Sequence, residues 1–259
     1  MDASLMRTSP VLPALGGFTP TFVLLEARRI LRNRRTLVFI LVMPAVFFLM
    51  FGKGQDQERV GGAAAELYVL VSLAVYAAMV AATSAGASVS VERAQGWSRQ
   101  LRLTPLRPAA YVAVKAVTAL LLALLSVVVE LTVGALSGVT MPAHVWLLAG
   151  LTAWLGSLVF AELGLLVGLL VPAENVMQLL GPALALLAMF GGLFVPLELL
   201  PQLMQDIAHV TPVYGISQIA RAPLTGVGPT AAEAANVALW VLVLAAGSAR
   251  LFRRDTARV

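Results

Sequence analysis

The sequence has 259 residues, of which 59% are hydrophobic and 12% are charged, and its net charge is +5. A soluble domain carries about 25% charged residues, so the composition excludes a soluble globular enzyme, a disordered tail and a secreted disulfide scaffold. The absence of cysteine excludes disulfides, thiolate metal sites and a cysteine nucleophile.

The first predicted element is an amphipathic helix over Phe22–Arg35. Its apolar residues share one arc of about 120° on a helical wheel, and arginines fill much of the remainder. This pattern predicts an interfacial helix in the plane of the lipid headgroups. A basic linker without stable helix is the alternative. The apolar arc consists of Val23, Leu24, Ala27, Ile30 and Leu31.

Six apolar runs follow, and they predict an all-α membrane protein. A bilayer is crossed by roughly 20 apolar residues, and a lone helix satisfies its own backbone in lipid. No small-residue cleavage site follows the first run, which favours a retained span. We therefore predict a single transmembrane domain over 1–259, in which 1–35 form a tail and the interfacial helix. The predicted spans are 36–51, 67–91, 109–137, 145–171, 176–195 and 234–252.

The basic residues predict the orientation of the spans. Six precede the first span, five lie between or near the second and third, and four end the chain, so 15 of the 18 fall on one side. The other side receives Lys53, Arg59 and Arg221. The positive-inside rule then places both termini in the cytoplasm.

The loop between the second and third spans carries Trp97, Leu101 and Leu103 among charged residues. Pro105 and Pro108 end any helix there by about Leu103. A short helix with apolar residues and flanking arginines suits docking into a groove on a partner protein. The alternatives are that Trp97 is an interfacial anchor and that the arginines only enforce topology.

Two acidic residues, Glu130 and Glu162, lie inside apolar runs. A charge at bilayer depth costs at least about 2.5 kcal/mol, so both are expected to face the protein interior. They are candidates for a polar pathway or a subunit interface, and an interhelical hydrogen bond that only supports packing is the alternative. Hydroxyl partners are available on the same spans, at Ser126, Thr132, Thr152 and Ser157.

Motifs for catalysis or nucleotide binding are absent from the sequence. It contains no GxxxxGK[ST] phosphate loop, no HExxH metal site and no GxSxG nucleophile elbow. His144 and His209 are far apart and are expected to be interfacial polar residues. The sequence therefore offers no nucleophile and no set of metal ligands that would support an enzymatic function. The basic residues lie beside apolar runs, which favours a role in membrane topology over nucleic-acid binding.

Two segments of the sequence resemble those of a known family. The first contains Glu92-Arg93, Gly96, Leu101 and Thr104-Pro105-Leu106, and it resembles the cytoplasmic signature of the ABC-2 type exporter permeases. Ala94 and Trp97 stand where the family usually has an acidic residue and a threonine. The second similarity is to the family's segment after its fifth span: Gly191–Leu197, Leu200-Pro201, Thr211-Pro212 and Arg221.

The resemblance implies a division of labour between chains. Two six-span subunits associate, each with a separate ABC ATPase subunit that binds ATP and Mg, so this chain holds no cofactor. The loop after span two would be a cytoplasmic coupling helix that contacts the ATPase through Glu92, Arg93, Gly96, Trp97, Arg99, Leu101, Arg102, Thr104 and Pro105. The segment after span five would form short exoplasmic, re-entrant helices near an outer gate, with Gly192, Pro196, Pro201, Pro212 and Arg221.

The sequence thus predicts the membrane subunit of an ATP-driven exporter in a bacterial inner membrane. The missing carbohydrate-binding domain favours a hydrophobic drug or lipid-like substrate. The second permease is either a further copy of this chain or a similar chain. A secondary carrier or channel that works without an ATPase is the alternative function.

Overall fold

A computed structural model describes residues 14–54, 58–96 and 107–257. Within these residues, six helices are long and apolar enough to cross a membrane, which confirms the predicted number of spans. The spans are Arg34–Gly52, Ala65–Ala94, Ala109–Leu136, Ala143–Leu170, Ala173–Phe190 and Ala231–Leu251.

A lead-in helix, Pro20–Arg32, precedes the first span. A short 3-10 helix, Ala14–Gly17, comes before it. Thr19 caps the lead-in helix by accepting a hydrogen bond from the Phe22 amide at 3.2 Å. The next helix, Arg34–Phe47, begins directly after Asn33 and continues into a π-helical turn, Phe48–Gly52.

A small antiparallel hairpin, not predicted from the sequence, leads into the second span. Its strands, Arg59–Val60 and Ala63–Ala64, pair with Arg59 opposite Ala64. Gly61 and Gly62 have φ of +57° and +83°, which a two-residue hairpin turn of this kind requires. The second span follows as the helix Ala65–Ala87 and, after a break at Ser88, the helix Val89–Ala94.

The third and fourth spans are the helices Pro108–Leu136 and Ala143–Leu170. The fifth helix, Ala173–Phe190, ends five residues before its predicted end. The cause is a glycine C-cap: Gly192 has φ +73°, and the Leu193 amide donates to the Ala188 carbonyl at 2.9 Å.

Short helices follow the fifth span: the 3-10 helix Leu197–Leu199 and the α-helices Gln202–Val210 and Pro212–Thr225. The last helix is Ala231–Ala257. Its first turn is a capping box, because the Thr230 amide donates to Glu233 and the Glu233 amide donates to the Thr230 hydroxyl.

The second span is the centre of the bundle and packs against the third and fourth spans. In the most apolar 18-residue stretch of the second span, 72% is buried inside the bundle. The corresponding share is 22% in the fifth span and 11% in the sixth. The fifth and sixth spans therefore present wide apolar faces to lipid or to another chain. We call the end of the bundle with the lead-in helix the basic end, and the end with the hairpin the distal end.

Candidate functional site

An ion cluster lies at the basic end, where the chain leaves the second span. Lys115 of the third span is only 3% exposed and contacts the carboxylates of both Glu26 and Glu92. The Nη2 atom of Arg29 lies 2.5 Å from the Oε1 atom of Glu26 and also contacts the Glu92 carboxylate. The Tyr111 hydroxyl donates to the second Glu92 oxygen at 2.5 Å. The cluster joins the lead-in helix, the end of the second span and the start of the third.

The charges in this cluster balance, with two carboxylates against two cations. Burial alone would raise the pKa of Glu26, but Lys115 and Arg29 outweigh it and hold that pKa below the ordinary value. Glu26, Glu92 and Lys115 are all buried. Buried ion pairs are sensitive to the loss of one partner, because the other charge is then left in a poorly solvated place.

Arg93, the next residue after Glu92, points to another element. Its Nη1 donates to the Leu169 carbonyl at 2.5 Å and to the Gly168 carbonyl at 3.3 Å. These carbonyls belong to the last turn of the fourth span, where they have no donor within the helix. Glu92 and Arg93 together connect one short helix to the lead-in helix, the third span and the fourth span.

Gly96 follows that short helix with φ +76°, and a β carbon there would meet no atom within 4 Å. The other residues predicted to contact an ATPase lie at 97–106, outside the described residues. They are Trp97, Arg99, Leu101, Arg102, Thr104 and Pro105.

A second polar cluster lies at the distal end around Arg221, which is 6% exposed. Its guanidinium donates to the Gly192 carbonyl at 2.6 Å and to the hydroxyls of Ser72 and Ser217 at 3.1 and 3.2 Å. It also stands over the Tyr68 ring at 4.4 Å, and the Tyr68 hydroxyl donates to the same carbonyl at 2.7 Å. Within the described parts of the chain, no carboxylate forms an ion pair with Arg221.

The distal cluster therefore brings together Gly192 and Arg221, two of the predicted gate residues. It ties the turn after the fifth span to the second span. The three predicted prolines each precede or begin a helix: Pro196 and Pro201 are N-caps, and Pro212 is the first residue of its helix. Proline suits these positions because the first amides of a helix have no internal acceptor.

The two glutamates inside the spans are both buried: Glu130 is 1% exposed and Glu162 is 8% exposed. Both carboxylate oxygens of Glu130 and one of Glu162 have no hydrogen-bond partner within the described residues. The serines named as candidate partners bond to their own helices instead: Ser126 to the Leu122 carbonyl and Ser157 to the Trp154 carbonyl. The proposed network with these two serines is therefore not formed.

Four residues of these two clusters were not predicted as site residues from the sequence: Glu26, Lys115, Tyr68 and Ser217. Two signals were present. Lys115 is the only charged residue besides Glu130 in an apolar helix of 29 residues, and Glu26 is the only acidic residue of the lead-in helix. Lys115 is one of the five basic residues counted for topology near the second and third spans, although a charged residue inside a span usually pairs with another polar group. Across the described ranges, no group of three potential metal-ligating side chains occurs.

Comparison with known proteins shows a family and a relative that this chain resembles. The family described as ABC-2 type transporter matches residues 21–224. A protein of Bacillus subtilis (strain 168), named as transport permease YvfS, is 30% identical over 207 residues, which cover 79% of this chain and 84% of that protein.

Proposed function

This chain belongs to the ABC-2 type transporter family, and we propose that it is the permease subunit of an ATP-driven exporter. A separate ATPase subunit binds ATP and Mg, and the permease moves a hydrophobic drug or lipid-like substrate outward. The observation that carries the proposal is the ion cluster, because it joins three elements beside the loop expected to dock on the ATPase.

We place the basic end in the cytoplasm of a bacterial cell. The support is the asymmetry of charge, with 15 of 18 basic residues on that side. The lead-in helix then lies at the inner surface of the membrane, with Arg28, Arg32, Arg34 and Arg35 near the headgroups.

The coupling step begins at the loop 97–106. When the ATPase pair closes on ATP, the docked loop pulls on the short helix Val89–Ala94 that precedes it. Glu92 passes the displacement to Lys115 and the lead-in helix, and Arg93 passes it to the end of the fourth span. A buried, hydrogen-bonded contact is suited to transmit a displacement because it keeps its geometry, whereas an exposed ion pair is weak and easily broken.

The outward opening involves the segment after the fifth span, which we propose is exoplasmic and dips toward the membrane. Arg221 and Tyr68 both hold the Gly192 carbonyl, so a rotation of the second span would move this turn. A second copy of this chain or a similar permease completes the pathway, against the wide apolar faces of the outer spans.

One observation favours the alternative, a secondary carrier. Glu130 is a buried ionisable residue in a span, and such residues often mark ion pathways. The loop that resembles a coupling helix has no use in such a carrier, so we favour the exporter.

The test is reconstitution of the permease with its ATPase in vesicles. Replacement of Arg99 and Arg102 by Glu is expected to reduce ATPase recovery in pull-down and ATP-dependent transport, with membrane insertion unchanged. The matched control reverses Arg253 and Arg254, a second pair on the same side of the membrane. Normal recovery and transport in the Arg99/Arg102 variant would refute the coupling role, and transport that follows an ion gradient without ATP would refute the exporter.

A further inference from the structure

Two cavities lie at the distal end, and Tyr68 belongs to the lining of both. The larger has a volume of about 490 Å³ and a mainly apolar lining from the first span, the hairpin, the second span and the turn after the fifth. Glu58 is the one charged residue in this lining, and its apolar residues include Phe47, Phe51, Val69, Leu73, Leu193 and Phe194.

The smaller cavity, of about 160 Å³, is the more polar of the two, with a lining that is about half polar. Its polar and charged residues besides Tyr68 are Arg221, Glu198, Gln218, Thr225, Thr230 and Glu233. A water molecule takes up about 30 Å³ in the liquid, so this cavity holds a group of roughly five waters' size. That is the size of a small polar head group.

The chain segments between the cavities line both of them. After the fifth span, Pro196 and Leu199 face the apolar cavity, whereas Leu197 and Glu198 face the polar one. The hairpin is divided in the same way, with Val60 at the apolar cavity and Gly61 at the polar one. A mainly apolar cavity and a more polar one thus have Tyr68 in common. An amphiphile has the same two parts, an apolar chain and a polar head group.

We propose that these two cavities form one binding site for a zwitterionic amphiphile, with its chain in the larger cavity and its head group in the smaller. This deepens the proposed export function, on which it rests, by giving the class of substrate at the outer end of the pathway. The apolar lining alone would accept any chain, so the head group decides the specificity.

Charge in the smaller cavity points to a head group that carries both signs. Arg221 is buried and forms no ion pair with a carboxylate among the described residues, so it favours an anionic group. Glu198 acts on its charge only from beyond ion-pair distance. Glu198 is exposed and faces the same cavity, so it favours a cationic group. Glu233 already accepts the Thr230 amide at 2.9 Å. A purely anionic head group would meet Glu198 and Glu233, and a purely cationic one would meet Arg221.

The experiment uses the purified permease in nanodiscs without ATPase and three probes of equal chain length. These are dodecylphosphocholine, dodecyl phosphate and dodecyltrimethylammonium, each with a photoreactive diazirine at the chain end. Mass spectrometry then maps the crosslinked residues. We expect the zwitterionic probe to label the linings of the apolar cavity roughly tenfold more than either of the others, which corresponds to about 1.4 kcal/mol of binding free energy.

Three variants identify the site. Glu198→Gln is expected to remove most of the preference for the zwitterionic over the anionic probe, whereas the matched control Glu66→Gln, which lines neither cavity, retains it. Leu73→Trp fills the apolar cavity and is expected to reduce labelling by all three probes.

Equal labelling by the three probes, or an unchanged preference in Glu198→Gln, would overturn the site. Because labelling needs no ATPase, the two proposals fail separately. Loss of labelling beside intact ATP-dependent transport counts against the site alone, and selective labelling beside ATP-independent transport counts against the exporter alone.

Discussion

Gly164 of the fourth span lies directly against the backbone of Thr83 in the second span. A β carbon at position 164 would stand 2.1 Å from the Thr83 carbonyl oxygen. The contact is matched one turn away, where a β carbon at Gly86 would stand 2.2 Å from the Ala161 carbonyl oxygen. Small residues allow this approach, and in lipid such close packing is a main source of helix association.

The first prediction follows from that contact. Gly164→Val is expected to push the second and fourth spans apart and to lower the free energy of unfolding by about 3 kcal/mol, the upper part of the usual cost of overpacking. Thermal unfolding in detergent measures the change. The matched control is Gly181→Val in the fifth span, where a β carbon meets nothing within 4 Å. Equal unfolding temperatures for the two variants would contradict the close packing.

The second prediction concerns the ion cluster. Lys115→Met keeps the length of the side chain but leaves Glu26 and Glu92 without their buried cation, and the expected cost is about 3–5 kcal/mol. Adding Glu26→Gln and Glu92→Gln to this variant is expected to restore much of the loss, because no buried charge then remains unpaired. Arg29 loses both carboxylates, but its side chain is 39% exposed and is solvated by water. Chemical unfolding monitors both variants.

Lys53→Met is the control for the lysine change, since Lys53 is exposed at the distal end. If the single Lys115 variant and the triple variant are equally unstable, the loss does not come from stranded carboxylates.

The third prediction is a dependence on acid. The pKa of Glu26 in the folded protein is lower than its ordinary value of 4.5, chiefly because Lys115 and Arg29 overcome the effect of burial. Its ionised form therefore contributes stability that is fully present above about pH 4.5 and is lost as pH falls through the lower, folded pKa. Glu26→Gln is expected to flatten this part of the stability curve against pH. If Glu26→Gln loses stability at low pH in the same way as the parent, the carboxylate of Glu26 is not stabilised by these cations.

The spans were predictable because hydropathy and the length of a bilayer leave few choices for an apolar run. The ion cluster was not, because Glu26 and Lys115 are 89 residues apart and meet only when the bundle forms. The end of the fifth span was missed for a local reason: Val195 continues the apolar run, but Gly192 takes a left-handed conformation that ends the helix first. The turn of the hairpin had a local signal in the pair Gly61-Gly62. The flanking strands have only two residues each, which is too short for an alternating pattern to predict them.

The fourth prediction tests the orientation. The chain has no cysteine, so a single introduced cysteine reports its own position. A cysteine at Gly54, exposed at the distal end, is expected to react with a membrane-impermeant thiol reagent in intact cells. A cysteine at Ser98 is expected to react only after the cells are opened. Labelling of Ser98→Cys from outside would reverse the proposed topology.

The last prediction separates packing from ionisation at Glu130. An ionised carboxylate at bilayer depth costs at least about 2.5 kcal/mol, and both oxygens of Glu130 are buried without a hydrogen-bond partner in the described residues. Glutamine has nearly the same shape and cannot ionise. If Glu130 only fills space between helices, Glu130→Gln is expected to insert, bind the ATPase and export at the parental rate, with stability equal to or above that of the parent. The same change at Glu162, the less buried of the two, serves as the comparison. A Glu130→Gln protein that folds and binds the ATPase but no longer transports would show that the ionisable group takes part in the transport cycle.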